Sequence, residues 1–338
     1  MKPVFVNGAS GHLGWHVVKE LQKRGYPVRA SVTNIKDREK TRHLNDPGIE
    51  IVQSTLTDRN SLERAIRGCS AVFHVAAPFK MHAKDPKSAI YEPTLMGMQN
   101  ILETIRAEKI KKIIYTSSVG CVGSSGKGER PRTEDEWVEN PDLMYVKAKT
   151  DAERSFHDFI KRNGMQGVAA LPSAMIGPNF ITPSPSVELF VRLVKGKVPA
   201  VLPAHFDYVD VRDVARGHVD LFEKENASGR YILSGTGYWL HEIMQMIRKD
   251  FPELKIPSLI LPEFLLPLAI FSDWLEDRIR KSGRLLTDDV IKEFGQGKIQ
   301  SFSYAKAKKE IGWSPRPVEE SVRDTIEWIK KPDFAERE

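Results

Sequence analysis

Two residues beyond the apolar run VFV, glycines stand at positions 8, 11 and 14 of the stretch NGASGHLGWHVVKEL, whose remainder has helical spacing. A glycine triplet between a strand and a helix constrains the chain more than any other feature. Bare backbone at that junction lets a bulky anion approach the positive end of the helix. Gly8 permits a tight turn, Gly11 lets the main chain approach a pyrophosphate, and Gly14 lets the helix pack close to the strand. A purely structural turn would need no such spacing, so the stretch reads as a dinucleotide-binding loop, with Ser10, His12 and Leu13 completing it.

The rest of the first half supports a fold that presents such a loop. Strand-length apolar runs (PVFVNG, PVRASV, IEIVQS, AVFHVAA, KKIIYTSS and QGVAALPS) alternate with helically spaced segments such as SLERAIRG, MGMQNILETIRAEK and YVKAKTDAERSFHDFIKRNG. Strands alternating with helices pair in parallel through right-handed crossovers, since each helix must cover one face of the sheet. The expected fold is a Rossmann-type doubly wound α/β domain over residues 1–172, with 205–227 returning to it as strand then helix. Residues 173–204 and 228–330, richer in proline and less regular, are expected to form mainly a smaller, substrate-binding lobe.

Composition narrows the functional classes. A net charge of +6 is the small difference between 51 basic and 45 acidic side chains, and the basic residues form no stripe interleaved with aromatics. That balance suits an anionic small ligand and argues against nucleic acid. The two cysteines, Cys69 and Cys121, lack any metal-ligand or disulfide spacing, so no metal is expected and a reducing compartment is. The first strand starts too early for a secretory leader, which makes the cytoplasm the expected location. The most apolar run, LILPEFLLPLAIF at 259–271, is shorter than the roughly 20 residues of a membrane span and is broken by Pro262, Glu263 and Pro267. It reads as a buried or pocket-lining helix; the alternative is an exposed face for peripheral membrane contact or for collecting an apolar substrate.

NGASGHLG resembles the cofactor loop of the extended short-chain dehydrogenase/reductases, the NAD-dependent epimerase/dehydratase superfamily. GCSAVFHVAAP, IIYTSS, YVKAK, LPSAMIGP, FDYVDVRDVARGH and the tail YAKAKKEIGWSPRPVEESVRDTIEW resemble its later landmarks, so the likeness covers nearly the whole chain. The runs VRASVTN, HVAAP, DPKSAIYEPTLMGM and YTSS are most similar to the dihydroflavonol 4-reductase-like branch, which includes cinnamoyl-CoA and aldehyde reductases, with 3β-hydroxysteroid dehydrogenases nearby.

The resemblance implies a catalytic triad of Ser118, Tyr145 and Lys149. Tyr145 and Lys149 stand at i and i+4 on one helix face, where an ammonium can favour the phenolate of its neighbour. They follow YTSS by about 30 residues and the glycine loop by about 130, as the family pattern asks. Ser118 closes a strand and so faces the crevice beyond the strand ends; Ser117 is its rival for that role and otherwise a cofactor contact. Where many relatives place an asparagine that relays protons, this chain has Thr94, so the relay is expected to run through water.

Cofactor choice should be read at the end of the second strand, where Thr33 replaces the acidic residue of NAD-preferring relatives. Lys36, Arg38 and Lys40 follow it, which favours NADP(H) over NAD(H). The adenine end is expected near Thr55 and Leu56, and the nicotinamide end near Val75, Ala76 and Ala77, then Pro172 and Met175. The resemblance implies Phe79, Met81, Phe180 and Phe206 as the substrate wall, with plain core as the equal alternative for each, and His82 is given no role.

The expected function is interconversion of a carbonyl and an alcohol on an apolar or aromatic small molecule. A steroid dehydrogenase and a nucleotide-sugar epimerase or dehydratase use the same triad and remain alternatives. A dinucleotide-sensing regulator is the non-enzymatic one, disfavoured by the intact Tyr/Lys pair. A homodimer is compatible with the resemblance.

Overall fold

The computed structural model describes residues 1–76, 82–280, 284, 286–295 and 297–335. The early apolar runs form β1 (Val4–Asn7), β2 (Val28–Val32), β3 (Ile49–Gln53), β4 (Ala71–His74), β5 (Lys112–Thr116) and β6 (Gln166–Pro172). Further strands are β7 (Ala174–Ile176), β8 (His205–Asp210), β9 (Gly229–Leu233) and β10 (Thr236–Trp239). Seven of them make one parallel sheet in the order β3-β2-β1-β4-β5-β6-β9. Such a sheet must be covered on both faces, and the central strands β1 and β4 are buried at every residue while the edge strand β3 is not.

Helices supply the covers. On one face α1 (His12–Lys23) packs against α7 (Val211–Glu223), with α11 (Ala305–Ile311) beside them. On the other lie α3 (Arg59–Ile66), α4 (Glu92–Ala107) and α5 (Met144–Asn163), while the short α2 (Arg38–Thr41) follows β2. The small lobe has its own core between the three-stranded sheet β10-β8-β7 and the helices α6 (Pro185–Val194), α8 (Leu240–Asp250) and α12 (Val318–Lys330). Helices α9 (Leu266–Arg280) and α10 (Asp288–Phe294) wall a cavity beneath that lobe, and α13 (Pro332–Ala335) follows α12.

The segment 205–227 divides between the two layers instead of returning whole to the main sheet. Its strand, β8, pairs with β7 and β10, whereas its helix, α7, buries Val211, Val214, Val219 and Leu221 against the α1 side. The place beside β6 is taken by β9, in register Val168↔Gly229 to Pro172↔Leu233, and β8 pairs in the smaller sheet. Within 259–271, Leu261, Leu265, Leu266 and Ala269 line the cavity, while Phe264 and Phe271 are 79% and 55% exposed. Among the described residues, no helix is long and apolar enough to cross a membrane.

Candidate active site

Strand order reverses between β1 and β4, so the chains leaving their carboxyl ends diverge and open a crevice. Asn7, the last residue of β1, braces it. Its Oδ1 accepts from the main-chain N–H of Val75 at 2.7 Å and of Ala76 at 3.0 Å, and its amide nitrogen lies 3.0 Å from Nδ1 of His74. Ala76 is thereby pressed on Gly8, where a Cβ would stand 2.8 Å from the alanine Cβ and where φ is +68°. At Gly14 an added Cβ would meet the carbonyl oxygen of Gly8 at 2.0 Å. Gly14→Ala is therefore expected to displace the loop, costing about 3 kcal/mol of stability and most of the dinucleotide affinity, read by urea unfolding and NADPH fluorescence titration.

The start of α1 has no side-chain cap and no acidic residue in its first turn, so its N–H groups remain for an anion. These residues fit a dinucleotide pyrophosphate. The His12 imidazole is engaged away from the loop's N–H groups: its Nε2, like that of His16, meets the carbonyl of Pro178, at 3.0 and 3.1 Å respectively. Burial, together with His16, lowers the His12 imidazole to about 3, so it carries no charge toward a phosphate. Ser10 is half-buried beside it, and Leu13 reaches the cavity wall.

Thr33 and Lys36 are exposed on the turn after β2, and Arg38 and Lys40 are exposed on α2, with Lys40 3.6 Å from the Asp37 carboxylate. Thr55 and Leu56 are half-buried at the end of β3. The Thr55 N–H donates to Ser61 at 3.1 Å, and the Leu56 carbonyl accepts from Asn100 at 2.8 Å. Leu56 also borders a water-sized void shared with His74, Ala76, Thr94 and Lys149. Thr94 donates to the carbonyl of Ile90 at 2.6 Å, which leaves its hydroxyl lone pairs as acceptors.

Ser118, Tyr145 and Lys149 meet on the wall of a cavity of about 680 Å³. The α5 periodicity puts Tyr145 and Lys149 on one face, and the end of β5 brings Ser118 opposite. Ser118 accepts from the N–H of Gly120 at 3.1 Å and shares a hydrogen bond with the Tyr145 phenol. Burial raises the phenol above its ordinary range, the Cys121 thiol adds to the rise, and Ser118 opposes it. Lys149 is buried, donates to the Thr116 carbonyl at 2.6 Å and lies 4.5 Å from the centre of the Tyr115 ring. Burial lowers its ammonium to about 8, against the pull of Cys121 and Glu153.

Ser117 turns away from this group. Its hydroxyl donates to Glu153 at 2.5 Å, and Glu153 accepts from Arg230 of β9 at 2.6 Å. Sequence reasoning did not find this pair, although Glu153 follows Lys149 by one helical turn in YVKAKTDAE and that spacing was the available signal. It likewise passed over Asn7 and His74, which sit inside the very motifs NGASG and FHVAA.

Pro172, Met175, Val75 and Phe206 line the cavity. Phe180 does not. It is fully buried in the small-lobe core, edge-on to His12 at 5.3 Å and to Phe334 at 5.0 Å, because α12 and α13 close over it. Ala77, Phe79 and Met81 lie outside the described residues, and His82 is exposed.

The model of the family described as NAD dependent epimerase/dehydratase matches residues 4–233. The chain is 33% identical over 272 residues to a bifunctional dihydroflavonol 4-reductase/flavanone 4-reductase of Malus domestica, covering 75% of this chain and 78% of the relative. It is 28% identical to the cinnamoyl-CoA reductase CAD2 of Medicago truncatula, over 98% of this chain and 97% of that one. A solved structure described as gox2253 is 28% identical, covers 99% of both chains and superposes with a TM-score of 0.84. The loop that fits a dinucleotide, the strand order and these likenesses agree: the chain belongs to the NAD dependent epimerase/dehydratase family, as an NAD(P)-dependent oxidoreductase of the extended short-chain dehydrogenase/reductase type.

Proposed function

We propose that the protein reduces the carbonyl of an apolar or aromatic small molecule with NADP(H), using Ser118, Tyr145 and Lys149. The observation that carries this reading is the meeting of those three side chains on one wall of a largely apolar cavity. The bound dinucleotide supplies the hydride. Ser118 donates to the substrate oxygen and holds it, while Tyr145 gives that oxygen its proton. A phenol raised by burial stays protonated near neutrality, which suits a proton donor and hence the reductive direction. Lys149, with one N–H spent on Thr116, keeps two for the ribose and for the proton path past Thr94.

Among the described residues, the basic side chains on the cavity wall beyond Lys149 are Arg192 and the exposed Lys197. Arg192 is already 3.1 Å from Glu188 and 3.5 Å from Asp273. An arginine so committed does not have its charge to spare, and relatives of the chain are named dihydroflavonol 4-reductase and cinnamoyl-CoA reductase. NADP(H) is favoured because Thr33 presents no carboxylate to a 2′-phosphate while Lys36 and Arg38 stand exposed beside it. A reducing, cytoplasmic setting accords with two buried, unpaired cysteines.

Titration of NADPH and NADH by fluorescence, followed by cofactor oxidation with aromatic aldehydes, ketosteroids and UDP-sugars, tests the reading. Tighter NADPH binding and oxidation driven by a carbonyl compound are expected. Conversion of a UDP-sugar without net redox change would replace reductase by epimerase. The pH profile is a further expectation: kcat/KM should fall as pH rises through about 8, because Lys149 holds its charge below that value and loses it above. An alkaline limb that Lys149→Arg leaves in place would assign the titration to another group.

A further inference from the structure

The amino end of α5, one residue before Tyr145 enters the helix, is capped from the small lobe. Leu143 offers no side-chain cap, and no acidic residue stands in the first turn of α5. The N–H groups of Asp142 and Leu143 donate instead to a single oxygen, Oε2 of Glu293, at 2.8 and 3.1 Å. Glu293 is buried on α10, and the same helix gives Val290, Ile291 and Phe294 to the cavity wall. Phe294 rests 5.9 Å from the ring of Phe206 across the cavity lining. One side of α10 thus meets whatever fills the cavity, while the other grips the backbone that leads into Tyr145.

A carboxylate at a helix amino end gains from the aligned N–H dipoles. Lys298, 3.6 Å from the Asp142 carboxylate, ties the same two segments a second time. Burial raises the Glu293 carboxyl, and the Leu143 N–H and Lys298 draw it back. The contact joins residues 150 positions apart and reaches Tyr145 through the start of α5.

We propose that Glu293 is a positioning residue for Tyr145: it fixes the start of α5 and transmits the placement of the cavity wall to the phenol. The proposal rests on the reading of Tyr145 as proton donor. Glu293 supplies two hydrogen bonds to backbone and none to reacting atoms, so its loss acts on turnover more than on binding.

The test compares full-chain wild type, Glu293→Ala and Glu293→Gln by hydrogen exchange at amides 142–147, by NADPH affinity, and by kcat and KM with benzaldehyde. Glu293→Ala is expected to speed exchange at those amides and to lower kcat about tenfold, with KM and NADPH affinity within about twofold, since a small displacement of a reacting group is costly. Glu293→Gln keeps a carbonyl acceptor of the same shape and should restore protection and most of the turnover. Unchanged exchange in Glu293→Ala overturns the proposal. So does a parallel loss of kcat, NADPH affinity and thermal midpoint, or a glutamine variant as impaired as the alanine one. The exchange measurement needs no turnover and decides the latch by itself; failure of wild type to reduce any carbonyl compound would instead count against the reductase reading.

Discussion

Tyr145→Phe is expected to lower kcat about a thousandfold while NADPH affinity stays within about twofold. The substitution removes one oxygen and keeps the ring in the wall, so the cavity and the α5 face persist. What disappears is the proposed proton donor and its hydrogen bond to Ser118. Ser118 can still polarise the carbonyl, which leaves a residual rate, but the developing alkoxide must then take its proton from water. Single-turnover oxidation of bound NADPH reads the chemical step directly. If the phenylalanine variant keeps near-wild-type turnover, the donor is elsewhere and the proposed chemistry is wrong.

Arg230→Ala should destabilise the fold by about 3–5 kcal/mol, the cost of leaving a buried charge without its partner. Arg230 is 7% exposed and Glu153 is 0% exposed. The guanidinium donates to Glu153, to the carbonyl of Glu134 at 2.8 Å and to that of Glu136 at 2.5 Å, and it stacks 3.7 Å from the centre of the Trp137 ring. Its removal would strand the carboxylate that receives Ser117 and would free the loop that follows Ser118. Urea unfolding measures the loss, and the double variant Glu153→Gln with Arg230→Met should recover much of it, since it removes both charges together.

The same pair sets a pH dependence. Burial pushes the Glu153 carboxyl up, but His157, Arg230 and Ser117 outweigh it and hold it below its ordinary value. A depressed folded value contributes stability that is present above the unfolded value and lost as pH falls through the folded one. The wild type should therefore lose its advantage over the double variant in acid. An advantage that persists at low pH would show that the carboxylate is not what Arg230 stabilises.

Most of the main layer was legible in the sequence because its signals are local. A strand such as VFV, a glycine loop and an amphipathic helix occupy consecutive residues, and alternation alone implies parallel pairing. The Tyr145 and Lys149 spacing is equally local, being one helical turn. Errors and omissions arose where a residue's neighbours lie far along the chain. Phe180 reads as part of the substrate wall, yet Trp328 and Phe334 bury it in the small-lobe core. The segment 205–227 carries strand and helix signals that are both realised, but the strand pairs with β7 and β10, which lie elsewhere in the chain, while β9 takes the place beside β6.

By itself the sequence determined the alternating α/β layer, the dinucleotide loop and the order of the residues that face the crevice, because periodicity and backbone freedom are properties of short stretches. Only the tertiary structure decided that Asn7 braces the loop after β4, that Glu153 is neutralised by Arg230, and that Glu293 caps α5. Those partners are separated by 68, 77 and 150 positions. A buried polar group must find a partner wherever the fold brings one, and no local spacing records which it will be.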